Sequence, residues 1–418
     1  MMQTATTTAN QVRDEAPGGA ALSTVLAVAV TVQTAGSFVS QGVYTLVPFW
    51  RDTFDLSQSS AALAVTAMNG GQILSMMALG RAIDRYGERS VVSLTLLAIG
   101  ISLITGALVA SSYVAVLALV TLLGALYASV QPGGARAILR WFPPGKRGLP
   151  TGLRQAAVPL GTAIAAFCLP LLATLYGWPV AVMAQGGIAA AGGVLFWALY
   201  REREGDGLTS AARPIPLAAL IRQLLREKSF CRVLAAGIAM SAFQFTFTAH
   251  AISFMADGLG LGLVSAASFF AATQIIGILG RVLAPWLSDR FWPGQRARSL
   301  GVLMIAAAAA AVFFLALPTA PSAWTLVPVL AAIGFFGIGW YPLFLLEIAE
   351  RAPRTAIAAT IGFASTIGLL AMSLGPYFFG LVVDFSGYVP AWIALIVPVV
   401  LTALPLCTSN LRPACAPS

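Results

Sequence analysis

One histidine, His250, and four scattered cysteines, Cys168, Cys231, Cys407 and Cys415, are all this 418-residue chain offers for metal or thiol chemistry, and none stands at ligand spacing. No nucleophile–base pair, phosphate-binding loop or cofactor motif accompanies them, so no enzyme, no metal site and no cofactor is expected. The informative groups are instead polar residues set at helical spacing inside apolar runs. Gln33, Ser37, Ser40, Gln41 and Tyr44 fall at i, i+4, i+7, i+8 and i+11, one continuous stripe of a helix. Ser241, Gln244 and Thr248, flanked by Phe243 and Phe247, repeat the pattern. Tyr127 with Gln131 and Trp340 with Tyr341 add two further groups. Such residues are costly against lipid, so they line a cavity or hydrogen-bond between helices.

Arg281 carries the sharpest chemistry. It sits in an apolar run with Gln274 two turns earlier on the same face, and no Asp or Glu occupies the middle of any such run. A guanidinium does not surrender its proton, so it needs an anionic partner or a wet cavity. A substrate carboxylate fits its fork geometrically. The alternative is pairing with loop acids or helix-end carbonyls. Arg154, beside Gln155 at the start of another run, is expected to snorkel back to the interface, with a second anion contact as the alternative, and Arg136 is expected to be interfacial. An unperturbed imidazole changes charge near neutrality, so His250 as the one histidine suits proton coupling or donation to a substrate. Packing against Phe247 and Phe254 is its structural alternative.

The elements that position these groups follow from composition. With 58% hydrophobic and 9% charged residues and a mean hydropathy of +0.86, the chain is neither a soluble enzyme nor a secreted disulfide scaffold. Apolar runs begin near Leu22, Ala61, Val91, Tyr113, Leu149 and Pro179, then near Arg232, Val264, Leu300, Trp324, Ala356 and Ala391. These are twelve predicted spans, an all-α membrane protein of two six-helix bundles. The first run, extending to about Pro48, is too long for a cleaved signal and is read as span 1. One set of alternate loops holds nearly every basic residue, from Arg81, Arg85 and Arg89 to Arg351 and Arg354, whereas the other holds only Arg51. The net charge of +9 is therefore a topology signal and not a nucleic-acid footprint. It places both termini in the cytoplasm and the chain in an inner or plasma membrane.

The expected organisation is a disordered tail (1–20), a first bundle (21–200), a linker (201–229), a second bundle (230–409) and a short tail (410–418). Within the linker, Leu217, Leu220, Ile221, Leu224 and Leu225 oppose Arg222, Gln223, Arg226 and Glu227. This predicts an amphipathic helix, lying on the leaflet or packed under the bundle. The halves echo each other. Gly80-Arg-Ala-Ile-Asp84-Arg85-Tyr-Gly87-Glu-Arg89 follows span 2, and Asp289-Arg290 follows span 8 at an offset of 205 residues (84 to 289). Gly177-Trp-Pro before span 6 and Gly387-Tyr-Val-Pro before span 12 stand 210 apart. Repeated halves with a site between them are a common plan for secondary transporters.

The loop after span 2 resembles the Gly-x-x-x-Asp-Arg-x-Gly-x-Arg signature of the major facilitator superfamily, and the weaker copy, the central linker and the twelve spans extend that resemblance over essentially the whole chain. Glu88 departs from the pattern, which usually has a basic residue there. The resemblance implies alternating access, with spans 1, 4, 7 and 10 lining the cavity. It also implies a gate formed by Gly80, Asp84, Arg85, Gly87 and Arg89 and by Asp289 and Arg290. Asp84 is expected to face a helix N-terminus across the inner mouth. Arg281 is similar in position to a substrate-binding arginine of the monocarboxylate and oxalate–formate branches. The expected substrate is thus a small organic anion, a mono- or dicarboxylate, moved by proton symport or anion exchange. Arg281, Gln33, Ser37, Gln41, Tyr44, Gln244, His250, Gln274, Tyr127 and Tyr341 are the candidate contacts. The partners are that solute and the lipid bilayer, and the functional unit is expected to be a monomer. Proton-driven efflux of a drug or metabolite is the rival, weakened by the lack of an arginine in Leu123-Gly-Ala-Leu-Tyr127-Ala-Ser-Val-Gln131 and of an acid in span 1. A receptor that kept the fold without transport is a further rival.

Overall fold

A computed structural model of the protein describes residues 19–202 and 216–408. The expected disordered N-terminal tail, most of the linker and the C-terminal tail lie outside the described residues, as do Arg13, Arg203, Arg213, Arg412 and Cys415. All regular elements among the described residues are helical. Hydrocarbon offers backbone groups no partner, so each spanning segment must close its own hydrogen bonds.

The first half contains α1 (Gly19–Thr53), α2 (Gln58–Tyr86), α3 (Glu88–Val109), α4 (Tyr113–Tyr127), α5 (Val130–Trp141), α6 (Gly148–Tyr176) and α7 (Trp178–Leu199). A short α8 (Leu217–Arg226) precedes the second half. That half contains α9 (Lys228–Ser253), α10 (Leu263–Phe291), α11 (Arg296–Leu315), α12 (Ala323–Ala332), α13 (Tyr341–Arg351), α14 (Ile357–Ser386) and α15 (Tyr388–Thr408). The α4–α5 pair forms one interrupted span, and so does α12–α13. Twelve spans result, each beginning within about one turn of its predicted start. Eleven are long and apolar enough to cross a membrane. The remaining one, α2, is 29 residues long but diluted by Asn69, Gly70, Gly71, Gln72 and Ser75.

Two buried cores hold the halves together. One is built from residues of α1 to α7, among them Val39, Trp50, Leu96, Leu123, Leu169 and Phe196. The other is built from α8 to α15, with Phe243, Phe314, Trp340 and Trp392, and also takes in Ala135 and Leu139 of α5. Leu220 and Leu224 of α8 are buried in this second core, while Arg222, Gln223 and Arg226 face outward. Of the two readings of the amphipathic helix, packing under the bundle is the one observed.

Both interrupted spans break for the same reason. Pro132 falls in the first turn of α5 and Pro342 in the first turn of α13, where a missing N–H is tolerated but a continuous helix is not. The break in the second half is longer, because a π-helical segment, Ile333–Ile338, precedes it. These breaks place Tyr127 and Gln131 on one side, and Trp340 and Tyr341 on the other, where the helical ladder is interrupted.

Candidate functional site: a closed basic end beneath two arginines

The halves meet at the end of the bundle that carries most of the basic residues. There Asp84, in the last turn of α2, accepts hydrogen bonds from the backbone N–H groups of Ala358 (3.0 Å) and Ala359 (2.8 Å) at the start of α14. A carboxylate at a helix N-terminus meets unsatisfied donors and the positive end of the helix dipole. Asp289, in α10, accepts from the N–H of Gly148 at 2.7 Å, at the start of α6. The two contacts are copies: the acids stand 205 residues apart (84 to 289) and the capped positions 210 apart (148 to 358).

Close backbone packing continues each contact inward. A Cβ on Gly152 would lie 2.6 Å from the Arg281 carbonyl, and one on Gly362 would lie 2.7 Å from the Met76 carbonyl. These positions are also 210 apart. Gly80 likewise faces the Ala358 carbonyl at 2.5 Å. A side chain at any of these sites would push helices of opposite halves apart.

Charged groups lock each half around its acid. Buried Arg136 lies 3.6 Å from Asp84 and 3.6 Å from Glu88, and donates to the Ile83 carbonyl. Glu88 also lies 3.3 Å from Arg140 and accepts from the Tyr200 hydroxyl at 2.6 Å. Arg136 is therefore buried among protein groups, and the departure at Glu88 from the usual basic residue supplies the buried hub of this cluster. Arg89 donates to the Trp197 carbonyl (2.6 and 2.9 Å) and lies 4.5 Å over the Trp197 ring. Arg85 is exposed over the Tyr86 ring at 5.1 Å. Gly87, with φ of 84°, makes the turn between α2 and α3 that a side chain would resist. In the second half Arg296 bridges Asp289 (2.6 Å) and Glu350, and Arg147 of the first half reaches Glu350 at 3.4 Å. Arg290 is exposed.

Above this closure lies the polar centre. Arg154 of α6 is fully buried. Its Nη1 donates to Gln33 Oε1 (2.5 Å) and Gln131 Oε1 (3.4 Å), while Nε and Nη2 have no hydrogen-bond partner. It does not snorkel to the interface as its place near the start of the span suggested. Gly134, one turn into α5, leaves it room: a Cβ there would sit 2.7 Å from Nη1. Gln33 Nε2 donates to Ser37 at 3.3 Å, so these two residues of the α1 stripe join the centre. Gln41 is half-buried, and Tyr44 is exposed and accepts from Asn69 at 3.4 Å, further along α1.

Arg281 of α10 enters from the other half. Its Nε donates to the Ile338 carbonyl at 3.4 Å and its Nη1 to the Gln155 carbonyl at 3.5 Å, both long. Ile338 ends the π-helical segment, where the carbonyl ladder is shifted. Tyr341 connects the groups: its hydroxyl accepts from Gln131 Nε2 at 3.4 Å, and it lies within electrostatic reach of both guanidiniums. Tyr127 is likewise near Arg154. Among the described residues, no carboxylate forms an ion pair with Arg154 or Arg281.

The remaining candidates fall outside this cluster. Gln244 accepts from the indole N–H of Trp340 at 2.8 Å, tying α9 to the break before α13. Gln274 is half-buried on α10. His250 lies further along α9, with Nε2 3.0 Å from the Pro376 carbonyl and its ring 4.8 Å from that of Phe379. Phe247 and Phe254 pack instead with Phe314 and Trp392. Of the two sequence readings of Arg154, the less favoured one, a place at the centre, is where the structure puts it. The available signal was the matched pair Pro132 and Pro342, 210 residues apart, since interrupted spans in corresponding places of two halves mark a binding site.

Comparison with known proteins agrees with this architecture. The chain is 28% identical to an uncharacterized MFS-type transporter of Mycobacterium tuberculosis, over 91% of this chain and 83% of that protein. It is 24% identical to a hexuronate transporter of Bacillus subtilis, over 81% of this chain and 83% of the relative. In structure it is similar to the major facilitator transporter FucP in the outward conformation, with a TM-score of 0.72 at 14% identity, covering 92% of this chain and 99% of that one. A family model described as Major Facilitator Superfamily matches residues 26–376, and with the duplicated helix-capping acids and the twelve helical spans this shows that the chain belongs to the major facilitator superfamily of membrane transporters.

Proposed function

We propose that the protein is a secondary transporter that moves a small organic anion by alternating access. The observation that carries this reading is Arg281: a permanent cation at the contact between the halves, held among the described residues only by two long bonds to carbonyls. A charge so placed is stable in a membrane only with water or a counter-ion, and an arginine fork suits a carboxylate. The 24% identical relative that is named a hexuronate transporter supports an anionic solute. Gln33, Gln131, Tyr127 and Tyr341 are the polar groups placed to orient it.

Asp84 and Asp289 close the basic end by capping helices of the opposite half. On this reading the closed end is the inner mouth, because basic loops face the cytoplasm of an inner or plasma membrane. Residues 21–200 and 230–409 act as the two rocking bundles. Opening the inner mouth breaks both caps together.

Arg281→Lys tests the reading. Lysine keeps the charge but loses the planar fork. Anion-stimulated uptake into proteoliposomes, for a carboxylate first found by thermal stabilisation of the purified protein, falls at least about tenfold in this variant. Uptake equal to wild type removes Arg281 from the site.

A further inference from the structure

The centre holds more positive charge than one carboxylate neutralises. Arg154 comes from the first half and Arg281 from the second, on either side of the α6–α10 contact at Gly152. Arg154 is fully buried with two donors that have no partner among the described residues, and the two hydrogen bonds that it donates go to neutral amides. The carboxylates Asp84, Glu88, Asp289, Glu347 and Glu350 are all engaged in ion pairs at the basic end. Tyr341 lies in the field of both guanidiniums. In a poorly polarisable interior, charges act over several ångströms without direct contact. A monoanion would therefore leave a uncompensated cation sealed inside the protein when the site occludes.

From this we propose, resting on the anion reading above, that the site selects a small dianion: Arg281 binds one charge and Arg154 compensates the second. Arg154 is the charge-selecting residue. The Gln131–Tyr341 bond, 3.4 Å long and joining the halves, is the contact a second anionic group displaces to reach Arg154. Gln33 holds the guanidinium in place from α1, and Gly134 keeps the space that it occupies. Two negative charges on separate carboxylates, or both on one tetrahedral centre, satisfy the same requirement.

The experiment is calorimetric titration of the full-length protein in detergent with butyrate, succinate and sulfate. Succinate and butyrate share a four-carbon skeleton and differ in charge, while sulfate carries both charges on one centre. Wild type is expected to bind succinate or sulfate at least about tenfold more tightly than butyrate. Two variants test Arg154. Arg154→Gln removes the charge. Gln33→Glu keeps the arginine and its packing but neutralises it with a carboxylate where the amide now accepts. Both are expected to shrink the dianion preference to within about threefold, whereas Arg281→Gln weakens all anions. Whichever dianion binds identifies whether the charges are separated or shared. Equal binding of butyrate in wild type, or an unchanged preference in both variants, overturns the dianion proposal and leaves the anion reading standing if Arg281→Gln still abolishes binding. Binding of none of the three by wild type overturns both.

Discussion

Gly152→Ala should loosen the basic end without unfolding the protein. The added methyl would lie 2.6 Å from the Arg281 carbonyl and 2.9 Å from Val282 Cα, both backbone atoms that cannot rotate aside. Overpacking of this kind costs about 1–3 kcal/mol. Alanine in place of glycine favours a helix by roughly 0.5–1 kcal/mol, but α6 is helical in either state, so that gain cancels from the conformational equilibrium. The net penalty falls on the closed basic end alone and shifts the population toward opening by about 5- to 150-fold. Ala359, buried where Asp84 caps α14, reports the opening. In a background with the native cysteines replaced by serine, Ala359→Cys should react with a hydrophilic maleimide faster in Gly152→Ala by a similar factor. Gly152→Ala/Gly362→Ala should exceed either single change, because the second glycine packs on Met76 in the symmetry-related contact. Equal labelling of the variant and its parent, with unchanged melting, would refute the claim that these glycines set the closure.

Two other outcomes follow from the geometry. Asp84→Asn replaces a charged double cap by an amide that accepts with one oxygen only. Hydrogen bonds to charged groups contribute about 1.5–3 kcal/mol each, so accessibility at the basic end should rise by at least about tenfold; labelling identical to wild type would argue against a gate. His250→Gln should lower thermal stability through the lost Pro376 contact, and a pH profile of uptake that stays unchanged in it would remove the imidazole from proton coupling. A pH profile flattened by that change, with anion binding intact, would assign the coupling proton to the imidazole.

Much of the architecture is written in the sequence because lipid imposes it. A spanning segment must be long, apolar and helical, so the apolar runs locate the spans to about a turn. The distribution of arginines between alternate loops identifies the basic end, and the two Asp-Arg copies identify where the halves touch. The Pro132 and Pro342 breaks coincide with local prolines, but proline alone does not decide them, since Pro159 and Pro170 lie inside continuous α6 and Pro376 inside α14.

Tertiary structure decided what a one-dimensional pattern cannot, namely which polar groups meet. Arg154 and Arg136 look alike in sequence, each near a span end, yet one enters the centre beside Gln33 and the other joins Asp84 and Glu88. Their depth depends on what space neighbouring helices leave, such as that at Gly134, and not on distance from the nearest loop. His250 and Gln244 lie on one helix, but Pro376 of α14 claims the first and Trp340 the second. Helical periodicity specifies the face a residue presents, whereas its partner is set by packing between helices far apart in the chain, and that is where the charge of this site is determined.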